Sequence, residues 1–156
     1  MSGELDKTDF QILARIQNDG RISNARLAEG LCLSEAPSWR RWKRLEEEGY
    51  IEGYRAVLNR RKLGFGVLAF VQVKFDSHKA ETAAQFEAAV LQLPQVLACH
   101  NVTGAEDYLL QVLARDLDAF GLFTAQLRAL PGVNTIQSSL SLREIKGGGA
   151  IPLRAE

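Results

Sequence analysis

The sequence predicts an α+β protein in two parts, and three observations carry that expectation. Short amphipathic segments with capping residues fill residues 1–62, hydrophobic periodicity turns from helical to strand-like near Val67, and turn residues then space the elements in the order β-α-β-β-α-β. A chain of 156 residues suits one ordinary domain or two small ones, and 46% hydrophobic content is enough for packed cores. The boundaries fall at 1–54 for a first domain, 55–66 for a linker strand or hinge, and 67–156 for a second domain.

Asp6 caps a first helix whose apolar Phe10, Leu13 and Ile16 recur at helical spacing, and which ends near Gly20. Ser23 caps a second, which runs through Ala25, Leu27, Ala28 and Leu31, and Leu31-Cys32-Leu33 turn the chain toward a third. Ser34 can accept from the first free N–H groups of that third helix, and Gly49 can take the left-handed conformation that ends it. The third helix carries Arg40, Arg41, Lys43 and Arg44, with Trp39 before the arginine pair and Trp42 after it. Two short helices joined by a tight turn, the second of them basic, make a helix-turn-helix. Tyr50 to Leu58 reads as a small strand or wing, and Asn59 to Gly64 as a polar connector.

In the second half, Val67 to Phe75 is an apolar, β-branched and aromatic run that reads as a strand. Residues 79–93 follow as a helix with Thr82, Phe86, Ala89, Val90 and Leu93 inward and Pro94 beyond its end. Val96 to Thr103 and Asp107 to Arg115 are strands on either side of Gly104. Asp118 caps a helix with Phe120, Phe123, Leu127 and Leu130 inward, Pro131-Gly132 closes it, and Val133 to Ile145 is the last strand. This is the order of the ferredoxin-like βαββαβ domain. Both helices on one face of a four-stranded sheet leave the other face apolar, so the chain is expected to pair with itself.

Charge narrows the function. The 19 basic and 19 acidic side chains cancel, and residues 1–62 hold 12 basic against 10 acidic ones. The basic signal therefore lies in arrangement, in residues 40–44 and in Arg55, Arg60, Arg61 and Lys62, which points to a polyanion held at one face. No apolar run reaches membrane-spanning length and the N-terminus is polar, so neither a membrane partner nor a signal peptide is expected. Cys32 and Cys99 stand far apart without CxxC spacing and read as two buried thiols in a reducing cytosol. His78 and His100 lack ligand partners at useful spacing, so no metal is expected. No nucleophile–base set and no phosphate-binding glycine loop before a helix is present, and Gly147-Gly148-Gly149 reads as a linker, so no enzyme is expected.

On the third helix Ser38, Trp42 and Leu45 form one inward stripe, and Trp39, Trp42 and Leu45 form another. The pattern leaves open which tryptophan is buried. Residues near a recognition helix's N-terminus reach base edges, which assigns Glu35, Ala36, Trp39 and Arg40 to base contacts. Arg41, Lys43 and Arg44 suit phosphates or the acidic neighbours Glu46 to Glu48, and Ser23 and Ser34 at the helix starts complete the DNA-contact set. The competing reading is a solvated helix laced with local ion pairs.

Several segments in this order and spacing resemble the Lrp/AsnC, or feast/famine, family of transcription regulators. They are Leu5-Asp6-Lys7-Thr8-Asp9; Gly20-Arg21-Ile22-Ser23; Leu27-Ala28-Glu29; Arg41-Trp42-Lys43-Arg44-Leu45-Glu46 with Gly49-Tyr50-Ile51; Thr103-Gly104-Ala105-Glu106-Asp107-Tyr108; Pro131-Gly132-Val133; and Ile151-Pro152-Leu153. The resemblance implies a cytoplasmic, nucleoid-associated regulator that binds double-stranded DNA and dimerises, assembling further to an octamer. It also implies Trp42 inside and Trp39 outside. Spacing alone makes residues 103–108 a simple turn. The resemblance makes them an effector loop at the interface between dimers, with no other cofactor. Backbone N–H groups around Gly104 would hold an amino acid's carboxylate and Asp107 its ammonium, with Ser138 and Ser139 of a neighbouring subunit completing the site. Small Ser38 and large Trp42 stand where the family has aliphatic residues, and Glu106 where an aromatic or small residue is common. An architectural DNA-compacting protein of the same fold, without effector, is the alternative.

Overall fold

The computed structural model describes residues 4–76 and 80–153, so His78 and the expected first residue of the fourth helix lie outside the described residues. The described chain forms two compact units, one from Met1–Val57 together with Lys146–Glu156 and the other from Leu58–Ile145.

The first unit holds α1 (Lys7–Asn18), α2 (Asn24–Gly30) and α3 (Glu35–Glu47). Asp6 closes a reciprocal cap on α1. Its Oδ1 accepts from the Asp9 N–H at 2.9 Å while Asp9 Oδ2 accepts from the Asp6 N–H at 3.0 Å. The buried residues of α1 are Asp9, Ile12 and Ile16; of the expected Phe10, Leu13 and Ile16, Ile16 is in the core, Leu13 packs against it and Phe10 is half-buried. Two arginines of α3 draw the Asp9 carboxylate inward. Ile12, Ile16, Leu27, Trp42 and Leu45 make the core, with Leu5, Leu13, Ile22, Leu31 and Ile51 packed against it. Ala25 is exposed.

Between α2 and α3, the Cys32 and Leu33 N–H groups donate to the Glu29 and Ala28 carbonyls. Cys32 takes φ 54°, an uncommon left-handed geometry for this residue type. That geometry turns its thiol outward, so Cys32 is exposed, contrary to expectation, while Cys99 is half-buried. Gly49 ends α3 at φ 78°, as the sequence predicts. Tyr50–Leu58 is not a strand. A strand needs a ladder partner, and none of the described residues supplies one; the last backbone bond before the Asn59 turn is Ile51 N–H to the Leu45 carbonyl at 3.2 Å. The tail returns to this unit, where Gln17 both donates to the Ile151 carbonyl (3.0 Å) and accepts its N–H (2.9 Å).

The second unit is a four-stranded antiparallel sheet of order β2-β3-β1-β4, with β1 Val67–Phe75, β2 Val96–Asn101, β3 Tyr108–Ala114 and β4 Val133–Leu140. Helices α4 (Ala80–Val90) and α5 (Leu117–Arg128) cover one face. Phe86, Val90, Phe123 and Leu127 pack there against Ala69, Val71, Val73, Phe75, Leu110 and Val112. The cap of α5 is Asp116, whose carboxylate accepts from the Ala119 N–H at 2.7 Å, and not Asp118, which sits in the first turn. β4 stops at Leu140 and not at Ile145, because its partner Ala69 stands near the start of β1 and leaves little strand to pair with beyond it. Phe70 stays exposed on the face away from the helices, whereas Leu140, opposite the buried Ala69, is exposed at the end of β4 on the helix side.

Candidate nucleic-acid interface and ligand loop

Ser34 occupies the N-cap of α3 with extended backbone, yet its hydroxyl makes no capping bond. The helix start is tied instead by Asn24, whose Nδ2 donates to the Glu35 carbonyl at 3.0 Å and so links α2 to α3. Ser23 does cap α2, accepting from the Arg26 N–H at 3.3 Å.

The structure decides between the two stripes of α3. Trp42 is 8% exposed and packed in the core, whereas Trp39 is 46% exposed. Ser38 is fully buried, and its hydroxyl finds no partner among the described residues. Small Ser38 beside large Trp42 gives that side of α3 its volume through the indole. Glu35, Ala36, Trp39 and Arg40 are all exposed, and Lys43 lies one turn beyond Trp39 on the same side. Trp39 meets Trp42 edge-on at 6.0 Å between ring centroids, with the Lys43 ammonium 5.0 Å from the Trp39 centroid.

Arg41 and Arg44 behave differently from the other cations. Arg41 donates to Asp6 Oδ2 at 2.6 Å and to Asp9 Oδ1 at 3.0 Å, and Arg44 donates to Asp9 Oδ2 at 2.6 Å. The Asp9 side chain is 1% exposed and each arginine side chain 35%. Their acidic partners are thus on α1, not among Glu46 to Glu48, because both side chains leave α3 on the side that faces α1. Hydrogen bonds to Asp6 and Asp9 raise the Arg41 pKa, and the bond to Asp9 raises that of Arg44. The Asp9 N–H, with Arg41, holds the Asp6 carboxyl below its usual range. Lys43 pairs with Glu46 at 2.9 Å, and this bond raises the Lys43 pKa while lowering that of Glu46. Sequence reasoning missed Asp9 and Tyr54 as parts of this surface. The Asp6-x-x-Asp9 spacing signals a cap, but nothing local signals that Asp9 also receives two arginines.

In the second unit, residues 102–107 join β2 to β3. The Val102 N–H donates to the Asp107 carbonyl and the Asp107 N–H to the Val73 carbonyl, each at 2.9 Å. Asp107 Oδ2 accepts from the Phe75 N–H at 2.7 Å. Gly104 takes φ 125° with open space above its Cα, a geometry that only glycine adopts without strain. Thr103, Gly104 and Ala105 are exposed and Glu106 is half-buried. Their N–H groups find no acceptor among the described residues. Tyr108 is placed differently: it is 4% exposed, packs on Phe75 and Phe86, and donates to Glu87 at 2.7 Å. Burial first, then the bond to Glu87, pushes its pKa up to about 12. Ser138 stands opposite Val71 and Ser139 opposite Phe70. Paired residues share a face and neighbours alternate, so Ser138 belongs to the helix-covered face and Ser139 to the open one.

Known proteins match this layout in both parts. Residues 5–52 match the winged helix-turn-helix DNA-binding model, and residues 68–151 the Lrp/AsnC ligand binding domain. The Bkd operon transcriptional regulator of Pseudomonas aeruginosa is 40% identical over 151 residues, covering 96% of this chain and 99% of that protein. The leucine-responsive regulatory protein of Salmonella typhimurium is 37% identical, covering 97% and 93%. A transcriptional regulator of Neisseria meningitidis, solved in complex with L-Met, superposes with a TM-score of 0.92 at 39% identity, covering 96% of this chain and 97% of that one. An AsnC family regulator of Agrobacterium tumefaciens gives a TM-score of 0.90 at 32% identity, with the same coverage. With both parts matched in order and relatives aligned over almost its whole length, the chain belongs to the Lrp/AsnC family of DNA-binding transcription regulators.

Proposed function

We propose that this regulator reads DNA with the outward face of α3 and senses an amino acid at the loop between β2 and β3. The observation that carries the first half is the division of α3. Glu35, Ala36, Trp39, Arg40 and Lys43 share a solvent face, while Trp42 and Leu45 anchor the helix and Arg41 and Arg44 tie it to α1. Arg40 and Trp39 lie toward the N-terminal part of the helix and take base edges; Lys43, a turn later, takes a phosphate. Ser23 and Ser34, exposed at the starts of α2 and α3, add backbone contacts.

Arg40→Ala is expected to relax preference at one base position by about 1–3 kcal/mol, read from sequences selected out of a random DNA pool. Lys43→Ala is expected to weaken all sequences alike and reduce the salt slope by about one. An unchanged selected sequence for Arg40→Ala removes it from the reading face.

Support for the second half is the row of N–H groups at Thr103 to Glu106, which can hold a carboxylate as a backbone nest does. Asp107 supplies the negative charge for the ammonium group, and Ser139 of another subunit is better placed than Ser138 to add a hydroxyl, since it lies on the open sheet face. Tyr108 acts from beneath, holding β3 through Glu87. The open face with Phe70 is where a second copy pairs, and further assembly of dimers brings the loops together. A ligand at that junction couples binding to assembly and so to the number of DNA sites engaged together, in the cytoplasm where such a regulator meets DNA. The Neisseria relative's L-Met complex and the Salmonella relative's leucine response favour an apolar amino acid. Millimolar L-Met, L-Leu or another common amino acid is expected to raise the melting temperature of the second unit by several degrees. If no amino acid shifts it, the sensing proposal fails.

A further inference from the structure

Five side chains on and beside α3 close a ring. The Trp42 Nε1–H donates to the Tyr54 hydroxyl at 2.6 Å, and that hydroxyl donates to Glu46 Oε1 at 2.9 Å. Glu46 Oε2 accepts from the Lys43 ammonium at 2.9 Å, the ammonium stands over the Trp39 ring at 5.0 Å, and Trp39 returns to Trp42 edge-on. One hydroxyl therefore satisfies the indole that anchors α3 and also holds the carboxylate that places Lys43. Four of the five residues belong to α3. Tyr54 alone comes from outside it, from the segment that runs toward the second unit.

That segment is otherwise lightly held. Residues 52–58 are exposed, and no backbone hydrogen bond between them and the described residues follows the one from Ile51. A cleft of about 750 Å³ opens beside it, lined by Leu13, Ile16, Gln17, Tyr54 and Ile151 among others. The Tyr54 hydroxyl is thus the polar tie between a loosely packed connecting segment and the outward face of the recognition helix.

We infer that Tyr54 is a positioning residue for DNA reading, whose hydroxyl sets Lys43 and Trp39 through Glu46 and Trp42 and so makes the reading face respond to the placement of the connecting segment. The inference rests on Trp39 and Lys43 meeting DNA. With the hydroxyl in place, Glu46 is fixed from one side and its other oxygen fixes the ammonium over the indole. Without it, Glu46 turns among its rotamers, Lys43 leaves Trp39, and the pair reaches DNA only after an ordering cost. Any rearrangement that pulls residues 50–57 away from α3 has the same effect as deleting the hydroxyl.

The test uses the full chain, DNA selected by the unmodified protein from a random pool, and the variants Tyr54→Phe, Glu46→Gln and Trp39→Ala. Tyr54→Phe keeps the ring and removes only the hydroxyl. It is expected to weaken the selected DNA about five- to tenfold, the loss of about one hydrogen bond. It should also alter the selected sequence at the base positions that Trp39→Ala alters, and lower the salt slope. Glu46→Gln keeps a hydrogen-bonding group for Tyr54 but discharges the carboxylate, and it should share the altered sequence; it decides the matter if Tyr54→Phe does not fold. A merely structural tyrosine would reduce the folded fraction and leave both the sequence preference and the salt slope of the folded protein unchanged. If Trp39→Ala changes the selected sequence while Tyr54→Phe and Glu46→Gln do not, the positioning role is overturned and the DNA-reading face stands. If Trp39→Ala itself changes nothing, the reading face fails, and this inference with it.

Discussion

Replacing Arg41 and Arg44 together by alanine is expected to destabilise the first unit by about 3 kcal/mol. That is the lower end of the range for stranding a buried charge, because the two arginine side chains are themselves partly exposed. Asp9, 1% exposed, would keep its carboxylate in the core with the Asp6 N–H as the hydrogen-bond donor left to it. For a unit of this size the melting temperature should drop by more than about 10 °C. Both tryptophans lie on α3, so tryptophan fluorescence, excited selectively over tyrosine, follows this unit without contribution from the sheet. The alternative outcome is informative: unchanged melting with a large loss of DNA affinity would make the two arginines phosphate ligands and not ties to α1. Acid adds a second signature. The folded state depresses the Asp6 pKa, so its contribution is fully present above the unfolded value of about 3.9 and is lost as pH falls through the lower folded value. The fluorescence midpoint should be insensitive to this group between about pH 5 and 7 and fall below about pH 4.

Trp42→Ala should cost about 3–5 kcal/mol, the usual range for truncating a buried aromatic, and it also removes the donor to Tyr54. Marginal small units rarely survive such a loss at 37 °C, so DNA binding is expected to vanish. The sheet unit has its own core, from Ala69 to Leu127, and should melt as before. Circular dichroism would then show one retained transition beside a lost one. Trp39→Ala is the control on the same helix: at 46% exposure it should change stability by less than about 0.5 kcal/mol. Equal destabilisation by the two substitutions would contradict the inward and outward placement of the two rings.

Much of the fold was legible along the chain. Val67–Phe75 matches its expected span because a strand buried on one face and paired on both edges keeps every second residue apolar, here Ala69, Val71, Val73 and Phe75. The caps at Asp6 and Ser23 were legible for a local reason: the acceptor and the N–H it satisfies lie three residues apart. Asp116 displaced Asp118 as the cap of α5 by the same rule, since two acidic residues both fit a helix start and only backbone conformation chooses between them. Ends of elements were less legible. β4 stops where β1 gives out, which is a property of its partner and not of residues 141–145.

The functional surfaces divide along the same line. Sequence by itself located α3, its four cations and the Gly104 loop, because cap, charge and turn signals are all local. It did not distinguish cations that face solvent from cations that face α1. Arg40 and Arg41 are neighbours in the chain, yet one is exposed and the other holds Asp6 and Asp9, since each residue advances about 100° around the helix. Nor did it separate Ser138 from Ser139, whose faces follow from the register with Val71 and Phe70. What this sequence determined was the elements, their order and the family; what only the tertiary structure decided was which tryptophan is buried, which arginines are tied to α1, and that Tyr54 reaches α3. Those contacts join residues 8 to 35 positions apart, and no periodicity in the chain encodes them.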